Sequence, residues 1–342
     1  MKILLVKLSS LGDVVHTLPV VQDIRAAMPG AQIDWVVEKS FAPLLARCPG
    51  LHRVIACEIR RWRKSFWTAA TRGEWRAFKA QLQQDAYDAV IDLQGLSKSA
   101  LVARLARLSP GGKRYALANQ TDGSAYEAPT RWVADVAIHI TPHTHAVQRS
   151  RELAARALGY TLHSRPDFGL KQPNVQQIRP YSAIETIARQ IAFVHGTSRA
   201  DKEWPLAHWT ELGRRLIAAG YQIGLPHGSA AELATSQAIA DTLNVDRAHG
   251  QPAPAVVWPR LALDALTDRL AGCAGVIGVD SGVSHIAVAL DLPHVQLYNF
   301  DTAWRTGPPP AGRQRSIFAQ PAPGVDAVWR AWLACSAEAV AA

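Results

Sequence analysis

Apolar residues in this chain fall into short dense runs, separated by longer stretches in which they recur every three or four positions. "KILLV" (2–6), "QIDWVVE" (32–38), "RVIAC" (53–57) and "DAVIDL" (88–93) have strand length and little polar alternation. Runs of that kind predict strands buried on both faces. Between and after them, "EWRAFKAQLQQ", "SKSALVARLARL" and the longer "HAVQRSRELAARALGY" carry the helical period. Strand and helix in alternation predict an α/β fold with a parallel sheet covered on both sides.

From Gly169 to about Arg179 the pattern lapses into "GLKQPNVQQIR", polar and proline-containing, which reads as an inter-domain linker. Alternation then restarts. "IAFVHG", "YQIGLP", "GVIGVD" and "HVQLYNF" predict strands. "PLAHWTELGRRLIAAG" predicts a helix with Leu206, Trp209, Leu212 and Leu216 on one face and Gly220 as its stop. "SAAELATSQAIADTL", "LDALTDRLAGC" and the closing "GVDAVWRAWLACSAEAVAA" also read as helices. The expectation is two doubly wound halves in series, residues 1–170 and 180–342. The closing helix is a candidate for packing back on the first half. Ligands of such sheets bind at the carboxyl ends of the strands, so the loops that follow strands are where chemistry is expected.

Composition fits this picture. The 342 residues are 48% apolar and 19% charged, enough to bury two cores and too apolar for extensive disorder. The placement of charge adds something. Residues 1–170 hold 23 Lys+Arg against 14 Asp+Glu, giving +9, whereas residues 171–342 hold 14 of each. The first half therefore suits an anionic partner: nucleic acid, an anionic membrane face, or a phosphorylated or carboxylated substrate. Cys48, Cys57, Cys273 and Cys335 show neither metal-ligand nor disulfide spacing. Lys7 and Asp13 interrupt the first apolar run too early for a signal peptide, and no run reaches membrane-spanning length. A cytoplasmic protein with at most peripheral membrane contact is expected.

Four loops hold candidate chemistry. In "VKLSSLGDVVHTLP" (6–19), Asp13 stands at the mouth of the first strand, where a helix N-cap and a catalytic carboxylate fit equally well. Ser9 and Ser10 offer hydroxyls and Gly12 allows close approach. Neither a dinucleotide fingerprint nor a P-loop is present. "HGTSRADKEWP" (195–205) gathers Thr197, Ser198 and Lys202 between a strand and a helix, a set that fits a diphosphate. In "GVDSGVSHIAVAL" (278–290), Asp280, Ser281 and Gly282 open a helix whose N–H groups suit an anion, with His285 one turn on. A sugar hydroxyl or a backbone N–H is the expected partner of Asp280, since a carboxylate repels phosphate. In "IRRWRK" (59–64), Arg60, Arg61, Arg63 and Lys64 bracket Trp62. That is either a solvated charge run, a carboxylate-binding group, or a nucleic-acid surface with Trp62 as stacking platform. His139, His143 and His145 lack an accompanying carboxylate or thiol at ligand spacing, so no metal site is expected there.

Taken in order, "VKLSSLGDVVHTLP", "DWVVE", "IRRWRK", "DAVIDLQGLSKSA", "TSRADKEWP" and "VDSGVSH" resemble the lipopolysaccharide heptosyltransferases of glycosyltransferase family 9, from Met1 to about Tyr298. "IRRWRK" with "LQGLSKSA" resembles the heptosyltransferase I branch more than the heptosyltransferase II branch. The resemblance implies a GT-B fold, two Rossmann-like domains facing a cleft. It implies inverting transfer of heptose from ADP-L-glycero-β-D-manno-heptose to the first Kdo of Kdo2-lipid A, without cofactor or catalytic metal, at the cytoplasmic face of the inner membrane. By the same resemblance Asp13 is the general base. Lys202, Ser281 and Gly282 hold the ADP phosphates with Thr197 and Ser198 nearby, and Asp280 and His285 belong to the donor site. Glu232 matches a ribose-binding glutamate, and residues 259–261 fall beside the adenine. Ser10, Gly12, Arg60, Arg61 and Lys64 fall on the acceptor side. Two departures stand out: "YNFDTAWRTGP" replaces the family's "YGPT", and "SAYEAP" has Tyr126 where an arginine is usual, for which Lys113 or Arg114 could substitute. Heptosyltransferase II or another GT-B nucleotide-sugar transferase, a basic nucleic-acid-binding protein and a non-catalytic sugar-nucleotide binder are the alternatives.

Overall fold

The dense apolar runs become the central strands of two parallel sheets. The computed structural model describes residues 1–162, 165–170, 189–245, 250–309 and 312–341. The chain divides into two compact units, Met1–Leu170 and Lys171–Ala342. Beyond Leu170, the expected linker lies outside the described residues.

The first unit runs β1 (Lys2–Val6), α1 (Leu11–Ala27), β2 (Gln32–Glu38), α2 (Ala42–Leu45), β3 (Leu51–Cys57), α3 (Ile59–Ser65), α4 (Ala69–Leu82), β4 (Ala86–Asp92), α5 (Ser97–Leu105), β5 (Arg107–Leu117), α6 (Pro129–Val133), β6 (Val136–Ile138) and α7 (Ala146–Leu158). Its sheet order is β3-β2-β1-β4-β5-β6, all parallel. Strand β1 is central, and Ile3 to Val6 are wholly buried. Leu4 and Val6 pack with Val36, Ile55 and Val90 against Phe78, Leu82 and Val102. Helices α1 and α7 pack together, bringing residue 13 and residue 149 within reach of each other.

The second unit repeats the plan: β7 (Gln190–Val194), α8 (Leu206–Ala218), β8 (Gln222–Leu225), α9 (Ala230–Asn244), β9 (Ala255–Val257), α10 (Leu263–Ala271), β10 (Gly275–Val279), α11 (Gly282–Ala289), β11 (His294–Tyr298), α12 (Ala303–Thr306), β12 (Gln314–Phe318) and α13 (Val325–Ala341). The order β12-β11-β10-β7-β8-β9 is that of the first unit read from the other edge. Helix α13 lies on β11, β12 and α8 of its own unit, with Val328, Trp332 and Cys335 in the core.

Four strands escape the periodicity reading, and each has a reason. Strand β5 contains Pro110-Gly111-Gly112 and shifts register between Tyr87 and Ala89, so it reads as a turn. It also begins at Arg107, inside the stretch expected to extend the preceding helix. Strands β6 and β9 have three residues each, too few for a period. Strand β12 is an edge strand with a polar start, "QRSIF". Among the described residues no helix is long and apolar enough to cross a membrane.

Candidate active site

Each sheet has one place where consecutive connections diverge. In the first unit it lies between β1 and β4. Loops leaving such neighbouring strands on opposite faces form a natural binding crevice. Here the two loops are tied together: the N–H groups of Leu8 and Ser9 both donate to Gln94 Oε1 at 3.0 Å. Asp92 in turn shapes the Gln94 loop, accepting from Gln94 N–H at 2.9 Å, Gly95 N–H at 3.2 Å and the Ser99 hydroxyl at 2.9 Å. Burial outweighs these donors and pushes the Asp92 carboxyl up to about 6.

Ser10, not Asp13, occupies the N-cap of α1, which corrects one of the two sequence readings. Asp13 is the third helical residue. Its Oδ2 accepts from both the backbone N–H and the hydroxyl of Ser10, each at 3.0 Å. Its Oδ1 faces Lys7 Nζ at 3.6 Å and Arg149 Nη2 at 3.8 Å, ion-pair distances longer than hydrogen bonds. The Asp13 side chain is 34% exposed, whereas those of Lys7 and Arg149 are 1% and 8% exposed. Burial works to raise the Asp13 carboxyl, but Lys7, the Ser10 donors and Arg149 together hold it below the ordinary carboxylate range. Lys7 is pushed down by burial and partly restored by Asp13, while its ammonium also donates to the Leu93 carbonyl at 2.9 Å. Arg149 donates to the Thr121 hydroxyl at 3.0 Å. An arginine in the first turn of a helix opposes the helix dipole, so its burial there marks a demand made by something other than α7. Beside this group, Lys98 Nζ at 2.7 Å and Arg60 Nη2 at 3.3 Å both donate to the Ser9 hydroxyl. Two cations converge here on one neutral oxygen with the buried Glu38 carboxylate near both, which leaves a net positive corner that favours an anion.

The matching place in the second unit lies between β7 and β10. Lys202 Nζ donates to Asp280 Oδ2 at 2.5 Å, and His285 Nε2 stands 3.4 Å from Asp280 Oδ1. Burial works to raise the Asp280 carboxyl, yet His285 and Lys202 hold it far below its usual range. The Thr197 hydroxyl donates to the Asp280 carbonyl at 3.5 Å, and the Thr306 hydroxyl to Asp280 Oδ1 at 3.4 Å. Ser281 is the N-cap of α11, accepting from Ser284 N–H at 3.4 Å. Gly278 is required beneath: a Cβ there would lie 2.4 Å from Ser284 Oγ and 2.8 Å from Val194 Cβ. Glu232 closes the start of α9, accepting from Gly228 N–H at 2.6 Å, and its carboxyl lies over Gly196, where a Cβ would come within 2.7 Å of Glu232 Cδ. Glu232, from the helix after the next strand, thus reaches the start of the loop that carries Thr197 and Lys202.

Comparison with known proteins gives the same answer along nearly the whole chain. The family model for glycosyltransferase family 9 (heptosyltransferase) matches residues 75–324. The chain belongs to glycosyltransferase family 9. Within the family, it is 41% identical over 305 residues to lipopolysaccharide heptosyltransferase 1 of Pseudomonas aeruginosa, covering 87% of this chain and 78% of that protein. It is 38% identical to the Escherichia coli lipopolysaccharide heptosyltransferase 1, covering 87% and 88%, and 27% identical to the heptosyltransferase 2 of the same organism, covering 87% and 82%. The solved structure of E. coli heptosyltransferase WaaC with ADP superposes with a TM-score of 0.84 at 34% identity, covering 98% of this chain and all of that one. Two six-stranded parallel sheets of this order are therefore the GT-B arrangement of the family.

Against the family pattern, the structure gathers Thr197, Lys202, Asp280, Ser281 and His285 into one corner and adds Glu232 to it; Gly282 begins α11 there, and Ser198 is exposed in the same loop. Within the chain Asp280 is met by Lys202, His285 and the Thr306 hydroxyl, rather than by the backbone N–H that was one of its two expected partners. In the first unit, Ser10, Gly12, Asp13 and Arg60 fall together. Arg61 instead ion-pairs with Glu58 and Glu74, and Lys64 lies exposed one turn along α3. Trp62 is no stacking platform: it is buried against Trp75 and Phe78 and donates to Glu74 at 2.7 Å. Arg114 does not replace the arginine absent at Tyr126, because its guanidinium donates to the Ala103 and Ala106 carbonyls at 2.9 and 3.1 Å. The unusual loop after Tyr298 is integrated here: Asn299 donates to the Asp201 and Glu203 carbonyls, and Thr306 reaches Asp280. Lys7, Lys98 and Arg149 were not singled out from the sequence. Lys7 at the end of an apolar strand was the one visible signal; Arg149 looked like any charged position of an amphipathic helix.

Proposed function

We propose that this chain is a heptosyltransferase I, transferring L-glycero-D-manno-heptose from ADP-heptose to the first Kdo of Kdo2-lipid A with inversion. The observation that carries it is Asp13, an ionised carboxylate held between two buried cations at the crevice of the first sheet. The higher identity to the heptosyltransferase 1 proteins than to heptosyltransferase 2 supports the choice of branch. ADP and an ADP-heptose analogue in the E. coli WaaC structures support the donor.

In this reading Asp13 Oδ1 accepts the proton of a Kdo hydroxyl as that oxygen attacks the anomeric carbon from the face opposite ADP. General-base assistance of this kind contributes roughly 10²–10⁴-fold. A carboxylate held below its ordinary range is a weak base toward a resting alcohol. It becomes competent as the C–O bond forms and the hydroxyl grows acidic. Ser10 orients Oδ2, and Lys7 and Arg149 keep the group ionised. Arg60 and Lys98, converging on Ser9, receive a Kdo carboxylate; Gly12 leaves room, Lys64 extends the cationic surface along the acceptor, and Arg61 joins it by exchanging Glu58 and Glu74 for an acceptor anion. On the donor side, Lys202 and the first N–H groups of α11 after Ser281 and Gly282 take up the charge growing on ADP. Thr197 and Ser198 donate to the phosphates, Glu232 accepts from the ribose hydroxyls, and residues 259–261 border the adenine. Asp280, paired with Lys202 and His285, positions the lysine. No cofactor and no catalytic metal enter this scheme, and nucleic acid has no part in it. Its lipid acceptor places the protein on the cytoplasmic face of the inner membrane.

The deciding assay is transfer of heptose from ADP-heptose to Kdo2-lipid A, run with and without a chelator and in competition with UDP- and GDP-sugars. Chelator-resistant transfer with an inverted anomeric configuration is expected. Preference for another nucleotide sugar, or no transfer, would overturn the assignment.

A further inference from the structure

The junction between α3 and α4 exposes more aromatic surface than its fold needs. Trp67 is 90% exposed and Phe66 46% exposed. The turn that carries them is already satisfied without them. Ser65 Oγ lies 2.9 Å from Thr71 Oγ1, Thr68 Oγ1 donates to the Ser65 carbonyl at 3.1 Å, and Thr71 N–H donates to Thr68 Oγ1 at 3.2 Å. Trp62, Trp75 and Phe78 supply the packing between the two helices from the inward side. Phe66 and Trp67 therefore contribute nothing visible to stability, while presenting two large apolar side chains to water.

Their surroundings are strongly cationic. Residues 59–79 hold seven Lys+Arg, at 60, 61, 63, 64, 72, 76 and 79, against one acidic residue, Glu74, giving +6. Glu74 is committed to Arg61 and Trp62. Arg63 and Lys64 in the last turn of α3, and Arg72 in the first turn of α4, are exposed and without an acidic partner among the described residues. Aromatic side chains flanked by unpaired cations are the signature of a surface that seats in the headgroup layer of an anionic bilayer, rings at the acyl boundary and cations among the phosphates. The opposite end of α3 points to the same use. Arg60 reaches the Ser9 hydroxyl beside Asp13 from the start of α3, and Trp67 lies two residues past the end of the same helix.

We propose that Phe66 and Trp67, framed by Arg63, Lys64 and Arg72, dock this protein on anionic lipid bilayers. This deepens the reading of a lipid-linked acceptor: the helix whose start touches the acceptor corner would carry at its end the wedge that meets the membrane. The membrane surface itself can be tested without that reading.

The test is flotation of the full chain with large unilamellar vesicles containing no acceptor, either phosphatidylglycerol with phosphatidylethanolamine or phosphatidylcholine alone. Binding to the anionic vesicles and little to the neutral ones is expected, weakening as salt rises. The double variant F66A/W67A should lower partitioning at least about tenfold, and R63A/R72A by roughly 30-fold. Both variants should keep the wild-type melting temperature. F66A/W67A should also keep its rate on a water-soluble de-acylated acceptor while losing rate on vesicle-embedded acceptor. Unchanged partitioning of F66A/W67A would overturn the wedge, leaving adsorption by charge alone. Failure to float, or competition by single-stranded oligonucleotides that displaces the vesicles completely, would overturn the bilayer as the partner. If floating succeeds and no heptose is transferred, the docking surface stands and the transferase reading falls.

Discussion

Single residues at the two crevices divide into those that react and those that set their charge. Asp13→Ala removes the base and leaves the second unit untouched, so kcat is expected to fall by roughly 10²–10⁴ while ADP affinity by calorimetry stays within error. Near-normal kcat in that variant would remove Asp13 from the mechanism. Lys202→Met acts differently, because it takes the ammonium from the buried Asp280 carboxylate and leaves His285 and Thr306 beside it. ADP binding should weaken, and stability at neutral pH should drop by about 1–3 kcal/mol. The sign with pH follows from the lowered Asp280 carboxyl. Stability contributed by the pair is present above the ordinary carboxylate value of 3.8 and is lost as pH falls through the lower folded value. The difference between Lys202→Met and the parent protein should therefore shrink in strong acid, as denaturant titrations across pH would read.

At the scale of elements, the loops owe their positions to the strands and helices that hold them. Gly278 lies where β10, β7 and the first turn of α11 meet. Gly278→Ala is expected to cost roughly 1–3 kcal/mol through overpacking and to weaken ADP binding, since α11 must move to admit the methyl group. A stability change without any change in ADP affinity would separate α11 from the donor site. Asp92 governs the turn between β4 and α5, and through Gln94 the backbone of the Asp13 loop. Its folded value of about 6 stands above the ordinary 3.8. The ionised form is thus a liability above pH 6 that disappears as pH falls toward 3.8, so this group makes the protein relatively more stable in mild acid. Protonation also removes a lone pair from the three donors. An acid limb of kcat/KM near pH 6 is expected to come from Asp92, not from Asp13, whose carboxyl titrates lower. Asp92→Asn should abolish that limb and flatten stability between pH 4 and 6; a limb that persists at pH 6 in Asp92→Asn would exclude this origin.

At the scale of the whole molecule, two sheets of the same order carry opposite chemical burdens. The excess of positive charge lies wholly in residues 1–170, and the proposed donor corner lies wholly in residues 171–342. The two units have separate cores. Domains with their own cores can unfold in their own transitions. Calorimetry in the presence of ADP is expected to raise the transition of the second unit and leave that of the first in place. Equal shifts of both would show the units to be thermodynamically coupled.

Much of this was written in one dimension. The dense runs from Lys2 to Val6 and from Gly275 to Val279, with helical stretches after them, are local patterns, and local patterns predict strands, helices and the loops that follow. Asp13, Lys202 and Asp280 could be picked out because each stands just beyond a strand. Short or interrupted strands were not legible: β5 is broken by Pro110-Gly111-Gly112, and β6 has three residues. The burial of Trp62 was equally hidden, since a single tryptophan among four cations has no period to betray its face. Only the tertiary structure decided that Ser10 caps α1, that Lys7 and Arg149 flank Asp13 from 6 and 136 residues away, and that Lys202 spends its charge on Asp280. Sequence sets what a residue can do locally through propensity and hydrophobic period. Which charges meet, and how deeply they are buried, is a matter of long-range packing, and that packing sets the ionisation of Asp13, Asp92 and Asp280.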